Sequence, residues 1–294
     1  MRRTLLKKIK VIAIVGPTAS GKTAYSIKLA KEINGEIISA DSRIVYKGFN
    51  IGAAKPTKDE MQGIPHYMID VVEPTFDYSA GLYQKQASEI IKDIANRGKM
   101  PIVVGGTGLY TDILLKGFDL PQICPDKNLR SDLEKLSTVE LYSTLKENDA
   151  EGADSINSND KKKIIRALEI IYSTGKTLKQ ARGKFQSEYE IEWIGKNFER
   201  DILYQRINSR VDKMLEIGLI EETKGLLKKY GRAYNIINTI GYKEITAYLD
   251  GVLTLDESVE SLKKNTRNYA KRQLTWFRKN PEIKWDIYPE KLKK

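Results

Sequence analysis

The sequence predicts an α/β fold, a parallel sheet flanked by helices, joined to a mostly helical insertion. Three observations carry this. Short apolar, β-branched runs alternate with helical patterns in the first 118 residues, the arrangement that gives parallel strands with right-handed crossovers. A glycine-rich turn, Gly16-Pro17-Thr18-Ala19-Ser20-Gly21-Lys22-Thr23, stands between the first strand and the first helix. The texture then changes near Phe118: residues 119–190 lack a clear strand and read as polar helices. The expected organisation is a core of residues 1–118 and 191–294 interrupted by a helical insertion of residues 119–190.

Residues 11–15 (VIAIV) are short, apolar and β-branched, as a buried strand requires. Residues 24–33 place Ile27, Ala30 and Ile33 on one helical side, and Asn34-Gly35 ends the pattern. Residues 36–40 form the second expected strand, ending at Asp41-Ser42, and residues 67–72 the third. An amphipathic helix over 83–96 leads to a strand at 101–104 that runs into Gly105-Gly106-Thr107-Gly108. In the insertion, Arg130 stands in an opening helix and residues 162–172 form another. Residues 192–195 return the chain to the core, and from Asp201 onward the pattern is helical.

Composition narrows the partners. The chain has 294 residues, 50 Lys and Arg against 39 Asp and Glu, and a formal net charge of +11. Such an excess suits nucleic acid or an acidic surface. One cysteine, Cys124, and one histidine, His66, exclude an internal disulfide and a Cys/His zinc cluster, consistent with a reducing cytoplasm. Cys124 reads as a bystander and His66 as structural. No apolar run approaches the ~18 residues of a membrane span.

The turn at 16–23 meets the pattern G-x-x-x-x-G-K-[ST] with a strand before it and a helix after it. Backbone N–H groups and the helix N-terminus cradle phosphate, Lys22 reaches the outer phosphates, and Thr23 offers a hydroxyl to Mg²⁺. This makes the core P-loop NTPase-like. The loop alone fits ATPases, GTPases and small-molecule kinases equally. The strand at 101–104 ends in glycine where a nucleotidase would carry an acid, and the strand-end acid is Asp41, placed to face the phosphate site.

Several motifs together resemble one family, the tRNA dimethylallyltransferases (tRNA isopentenyltransferases). They are residues 16–23, Ser39-Ala40-Asp41-Ser42-Arg43, Ile51-Gly52-Ala53-Ala54-Lys55-Pro56-Thr57 and Gly105-Gly106-Thr107-Gly108-Leu109-Tyr110. Arg166-Ala167-Leu168-Glu169, Ile240-Gly241-Tyr242-Lys243-Glu244 and residues 270–278 (AKRQLTWFR) complete the set. They follow the family's order from residue 11 to 278.

The resemblance implies transfer of a dimethylallyl group from dimethylallyl diphosphate to the exocyclic amine of the adenine 3′ of a tRNA anticodon. Pyrophosphate leaves, with Mg²⁺ assisting. It assigns the loop Gly16, Pro17, Thr18, Ala19, Ser20, Gly21, Lys22 and Thr23 to the diphosphate, with no ATP hydrolysed. Asp41 matches the general base and Thr107 a residue beside the target base. Arg206 and Arg210 lie one helical turn apart, and Arg210 is the expected pyrophosphate donor.

For tRNA the resemblance implies Asp41, Ser42, Arg43 and Ile44 at the flipped adenine, with Thr107 beside it. It places Arg130 and Lys162, Lys163, Ile164, Ile165 and Arg166 at the anticodon stem-loop. Lys163 departs from the family's common arginine and loses its planar fork. Residues 261–281 carry seven basic residues and no acid, and Lys263, Arg267, Lys271 and Arg278 are expected to form one basic stripe. Leu262, Tyr269, Gln273 and Trp276 would pack on the core. The appended zinc finger of eukaryotic relatives is missing, so the architecture looks bacterial. A cytoplasmic monomer is expected.

Overall fold

The computed structural model describes residues 8–117, 126–181 and 187–288. Phe118 and Cys124 lie outside them. The chain divides into two compact units, Met1–Leu115 with Glu188–Lys294, and Lys116–Ser187.

The first unit is built on six strands, β1 (Ile9–Val15), β2 (Gly35–Ser39), β3 (His66–Tyr67), β4 (Met100–Gly105), β5 (Tyr189–Phe198) and β6 (Lys284–Tyr288). They form one sheet in the order β3-β2-β4-β1-β5-β6, and every pairing is parallel. Its helices before the second unit are α1 (Lys22–Glu32), α2 (Lys58–Met61), α3 (Ala80–Asn96) and α4 (Gly108–Leu115). The second unit contains α5 (Lys127–Lys135), α6 (Thr138–Asn148), α7 (Ala150–Asp154), α8 (Lys161–Thr174) and α9 (Leu178–Ala181). The first unit resumes with α10 (Arg200–Glu216), α11 (Leu219–Tyr230), α12 (Tyr234–Ile237), α13 (Tyr242–Leu249) and α14 (Leu255–Phe277).

The central strands β1, β2 and β4 are largely buried on both faces, as strands of a parallel sheet covered by helices must be. Ile27 and Ala30 of α1 pack on Ile12, Ile14, Ile37 and Ile102. Ala19 of the loop after β1 packs on Leu203 and Ile207 of α10 and Ala270 of α14, so two distant helices are fixed against it. Each fully buried aliphatic side chain contributes about 1.5–3 kcal/mol. The second unit has its own core of Leu133, Leu141, Leu145, Ile164, Ile165 and Leu168 among others.

Three expectations need correction. The third strand covers only His66–Tyr67, because Met68 and Asp70 adopt left-handed φ of 64° and 54° and break extended pairing. Val72 returns only as an isolated bridge to Tyr46. The segment after Asp201 is not wholly helical: β6 adds a parallel edge strand, pairing Ile194–Phe198 with Lys284–Tyr288. Strand β5 begins at Tyr189, two residues inside the span expected to be helical.

Candidate active site

Register decides where the functional loops emerge. Val15 of β1 pairs with Gly105 of β4, and Ser39 of β2 pairs with Val104. The carboxyl ends of three adjacent strands are therefore level. The phosphate loop leaves β1, Asp41 follows β2, and Gly106-Thr107 leaves β4 between them. Gly105 is required by close approach: a Cβ there would lie 2.1 Å from the Ala40 carbonyl oxygen. An acid at this strand end would collide with Ala40, just after β2, which explains why the strand ends in glycine.

The phosphate loop is held from both sides. The Thr18 amide donates to Gln273 Oε1 at 2.8 Å, and Arg210 Nη1 donates to Thr18 Oγ1 at 3.2 Å. Arg206 Nε donates to the Ala19 carbonyl at 2.9 Å, and its guanidinium lies 4.4 Å from the centroid of the Phe198 ring. Of the two arginines one turn apart, Arg206 is thus committed to the backbone and an aromatic face. Arg210 meets a neutral hydroxyl and, among the described residues, no carboxylate within ion-pair distance. The Thr18 amide is also withdrawn from the expected row of phosphate donors.

Lys22 begins α1, and its ammonium donates to the Pro17 carbonyl and to Ser20 Oγ. Burial, and then the positive charge of Arg210, pull its pKa down to about 7, against the opposing attraction of Asp41. Burial, followed by Arg206, also lowers the Arg210 pKa. Two cations with no carboxylate in ion-pair contact among the described residues, each also repelled by a neighbouring arginine, form a site for an anion. Thr23 is exposed in the first turn of α1.

On the other side, Asp41 Oδ1 accepts from the Arg43 amide at 2.7 Å, and Thr107 Oγ1 accepts from the Ser42 amide at 3.1 Å. These bonds fix the Asp41 loop against the Thr107 loop. Sequence reading placed Tyr269 on a packing face. It is half-buried there, and burial followed by the charge of Asp41 raises its pKa to about 12. Lys22, Arg210, Asp41 and Thr107 therefore share one neighbourhood.

The remaining expected residues divide. Lys271 and Arg278 are exposed on and just after α14. The four-residue basic stripe is not continuous, because Lys263 pairs with Asp212 at 2.8 Å and Arg267 donates to Asn208 Oδ1 at 2.7 Å. Both partners lie on α10. Trp276 is no core anchor: it is 41% exposed and its indole N–H donates to Asp112 at 2.9 Å, while Phe277 is buried.

Ile44 is 7% exposed and packs inward. In the second unit Ile164 and Ile165 are core residues, so their side chains hold α8 rather than meet a partner. Arg130 and Arg166 both bind the buried carboxylate of Glu169, while Lys162 and Lys163 are exposed at the start of α8. His66 Nδ1 lies 2.7 Å from the Ile64 carbonyl, a structural position. Among the described residues no cluster of three or more His, Cys, Asp or Glu is placed to hold a metal. No helix there is long and apolar enough to cross a membrane.

A family model for IPP transferases matches residues 44–280, and one for isopentenyl transferases matches residues 9–75. The chain belongs to the tRNA dimethylallyltransferase (IPP transferase) family. These are prenyltransferases. A tRNA dimethylallyltransferase of Anoxybacillus flavithermus is 48% identical over 94% of this chain and 89% of its own length. One from a Thermoanaerobacter species is 48% identical over 97% and 96%. The crystal structure of the tRNA isopentenylpyrophosphate transferase of Bacillus halodurans superposes with a TM-score of 0.73 at 44% identity, covering 96% of this chain and 91% of that one. A eukaryotic dimethylallyltransferase acting on tRNA gives 0.83 at 31% identity, covering 96% and 74%. The matched region of the IPP transferase model takes in Thr107, Arg210 and Gln273, and that of the isopentenyl transferase model takes in the phosphate loop and Asp41.

Proposed function

We propose that this chain transfers the dimethylallyl group of dimethylallyl diphosphate to the exocyclic N6 of the adenine 3′ of a tRNA anticodon, releasing pyrophosphate. The observation that carries the reading is the pairing of two subsites on level strand ends. One holds Lys22 and Arg210 without carboxylate partners; the other holds Asp41 and Thr107.

The amine nitrogen attacks the allylic carbon, the carbon–oxygen bond to the diphosphate breaks, and its electron pair leaves with pyrophosphate. Lys22 and Arg210 oppose the charge that builds on that oxygen, where donors fixed in advance do most for the rate. Asp41 accepts the N6 proton. Thr107 positions the base. Thr23, an exposed hydroxyl on the loop, and the diphosphate oxygens suit a hard cation, and Mg²⁺ held there would neutralise leaving-group charge.

The adenine must leave its stack to reach Asp41. Lys162 and Lys163 in the second unit and Lys271 in the first are the exposed cations proposed to meet tRNA phosphates, with Arg130, Arg166 and Arg267 beside them. On this reading the enzyme acts as a monomer in the cytoplasm, where a tRNA substrate is available. Incubation with labelled dimethylallyl diphosphate and unmodified tRNA tests the reading. Label should move to tRNA, and Asp41→Ala should bind both substrates while losing at least about a hundredfold in rate. ATP turnover without label transfer would overturn it.

A further inference from the structure

Gln273 on α14 is 5% exposed, and both ends of its amide are used. Its oxygen accepts from the Thr18 amide at 2.8 Å, and its nitrogen donates to the Gly106 carbonyl at 2.9 Å. One side chain therefore joins the loop after β1 to the loop after β4. Thr18 in turn receives Arg210, and Gly106 precedes Thr107. The fit is close: a Cβ on Gly106 would lie 2.1 Å from Gln273 Nε2. A buried amide with both ends satisfied between two loops fixes their separation, because breaking either bond leaves a buried polar group unpaired.

We propose that Gln273 is a positioning residue that holds the leaving-group loop and the Thr107 loop in one register, so that the donor carbon and the attacking nitrogen meet in line. This rests on the functional reading above. It touches neither reacting atom. Its loss should leave each substrate bound but the two misaligned, and small misplacements are costly to transfer steps.

The test is Gln273→Met, which keeps volume and removes both bonds. With labelled donor and tRNA, kcat should fall at least tenfold while KM for each substrate changes less than about threefold. Gly106→Ala keeps Gln273 but displaces its amide and should reproduce the defect. The double variant should be no worse than the worse single one, as expected of one shared interaction.

Hydrogen exchange supplies a readout independent of activity. In the wild type, inorganic pyrophosphate should slow exchange in the peptides carrying Thr18 and Thr107 alike; in Gln273→Met it should slow only the first. A kcat within twofold of wild type, or retained protection of both peptides in Gln273→Met, would overturn the proposal. A wild type that moves no label would sink the functional reading instead, and the exchange experiment would still decide the bridge.

Discussion

The two ends of β2 treat positive charge in opposite ways. Near its start, Glu36 is buried and accepts from Arg97 through both oxygens, from Lys99 and from the Tyr67 hydroxyl. The Arg97 guanidinium first among these partners holds its carboxyl at about 2. Beyond the other end, Lys22 and Arg210 sit together with no carboxylate in contact among the described residues, and Asp41 is turned to the Arg43 amide. The first arrangement satisfies its charges within the fold and serves stability. The second leaves them unsatisfied and serves a ligand, at some cost to the free protein.

Substitutions can break this contrast. Arg210→Ala should lower the rate of prenyl transfer by about 10²–10³-fold, the usual loss when one fixed donor to a developing anion is removed. Thermal unfolding of the free variant should be unchanged or shifted upward. Glu36→Ala should do the reverse, with little effect on kcat and a stability loss of about 2–3 kcal/mol by denaturant titration. That figure lies below the usual cost of breaking a buried pair, because water reaches both Arg97 and Lys99. The Glu36 carboxyl is depressed on folding, so its contribution is full above pH ~4.3 and disappears as pH falls through about 2.

The smallest effect concerns pH at the site. In the free protein Lys22 is charged below about pH 7. Binding an anion favours the charged form, so above pH 7 pyrophosphate binding should take up a proton, and affinity should fall by up to tenfold per pH unit. Calorimetry at pH 8 in buffers of different ionisation enthalpy measures that uptake, and Lys22→Met should abolish it.

How much of this was legible in the sequence follows from distance along the chain. The phosphate loop, Asp41 after a strand, the Thr107 turn and the Arg206/Arg210 spacing are local patterns, and each falls in the expected element. Bonds that organise them are not local. Gln273 lies 255 positions from Thr18, and Glu36 lies 61 from Arg97. Charge on α14 was legible, but Asp212 and Asn208 on α10, which occupy Lys263 and Arg267, were not. Strand β3 is shorter than its apolar run suggests because Met68 gives no sign of a left-handed turn, although Asp70 is a residue that tolerates one. Ile164 and Ile165 were grouped with basic neighbours by motif, although helical spacing turns them to the core.

The claim that the unpaired cations form a diphosphate clamp is tested most directly by titrating inorganic pyrophosphate with Mg²⁺ into the wild type and the Lys22→Met and Arg210→Met variants at pH 6.5. The account predicts binding to the wild type and at least tenfold weaker binding to each variant, with melting temperatures of the free proteins no lower than wild type. Equal pyrophosphate affinity in all three proteins would contradict it.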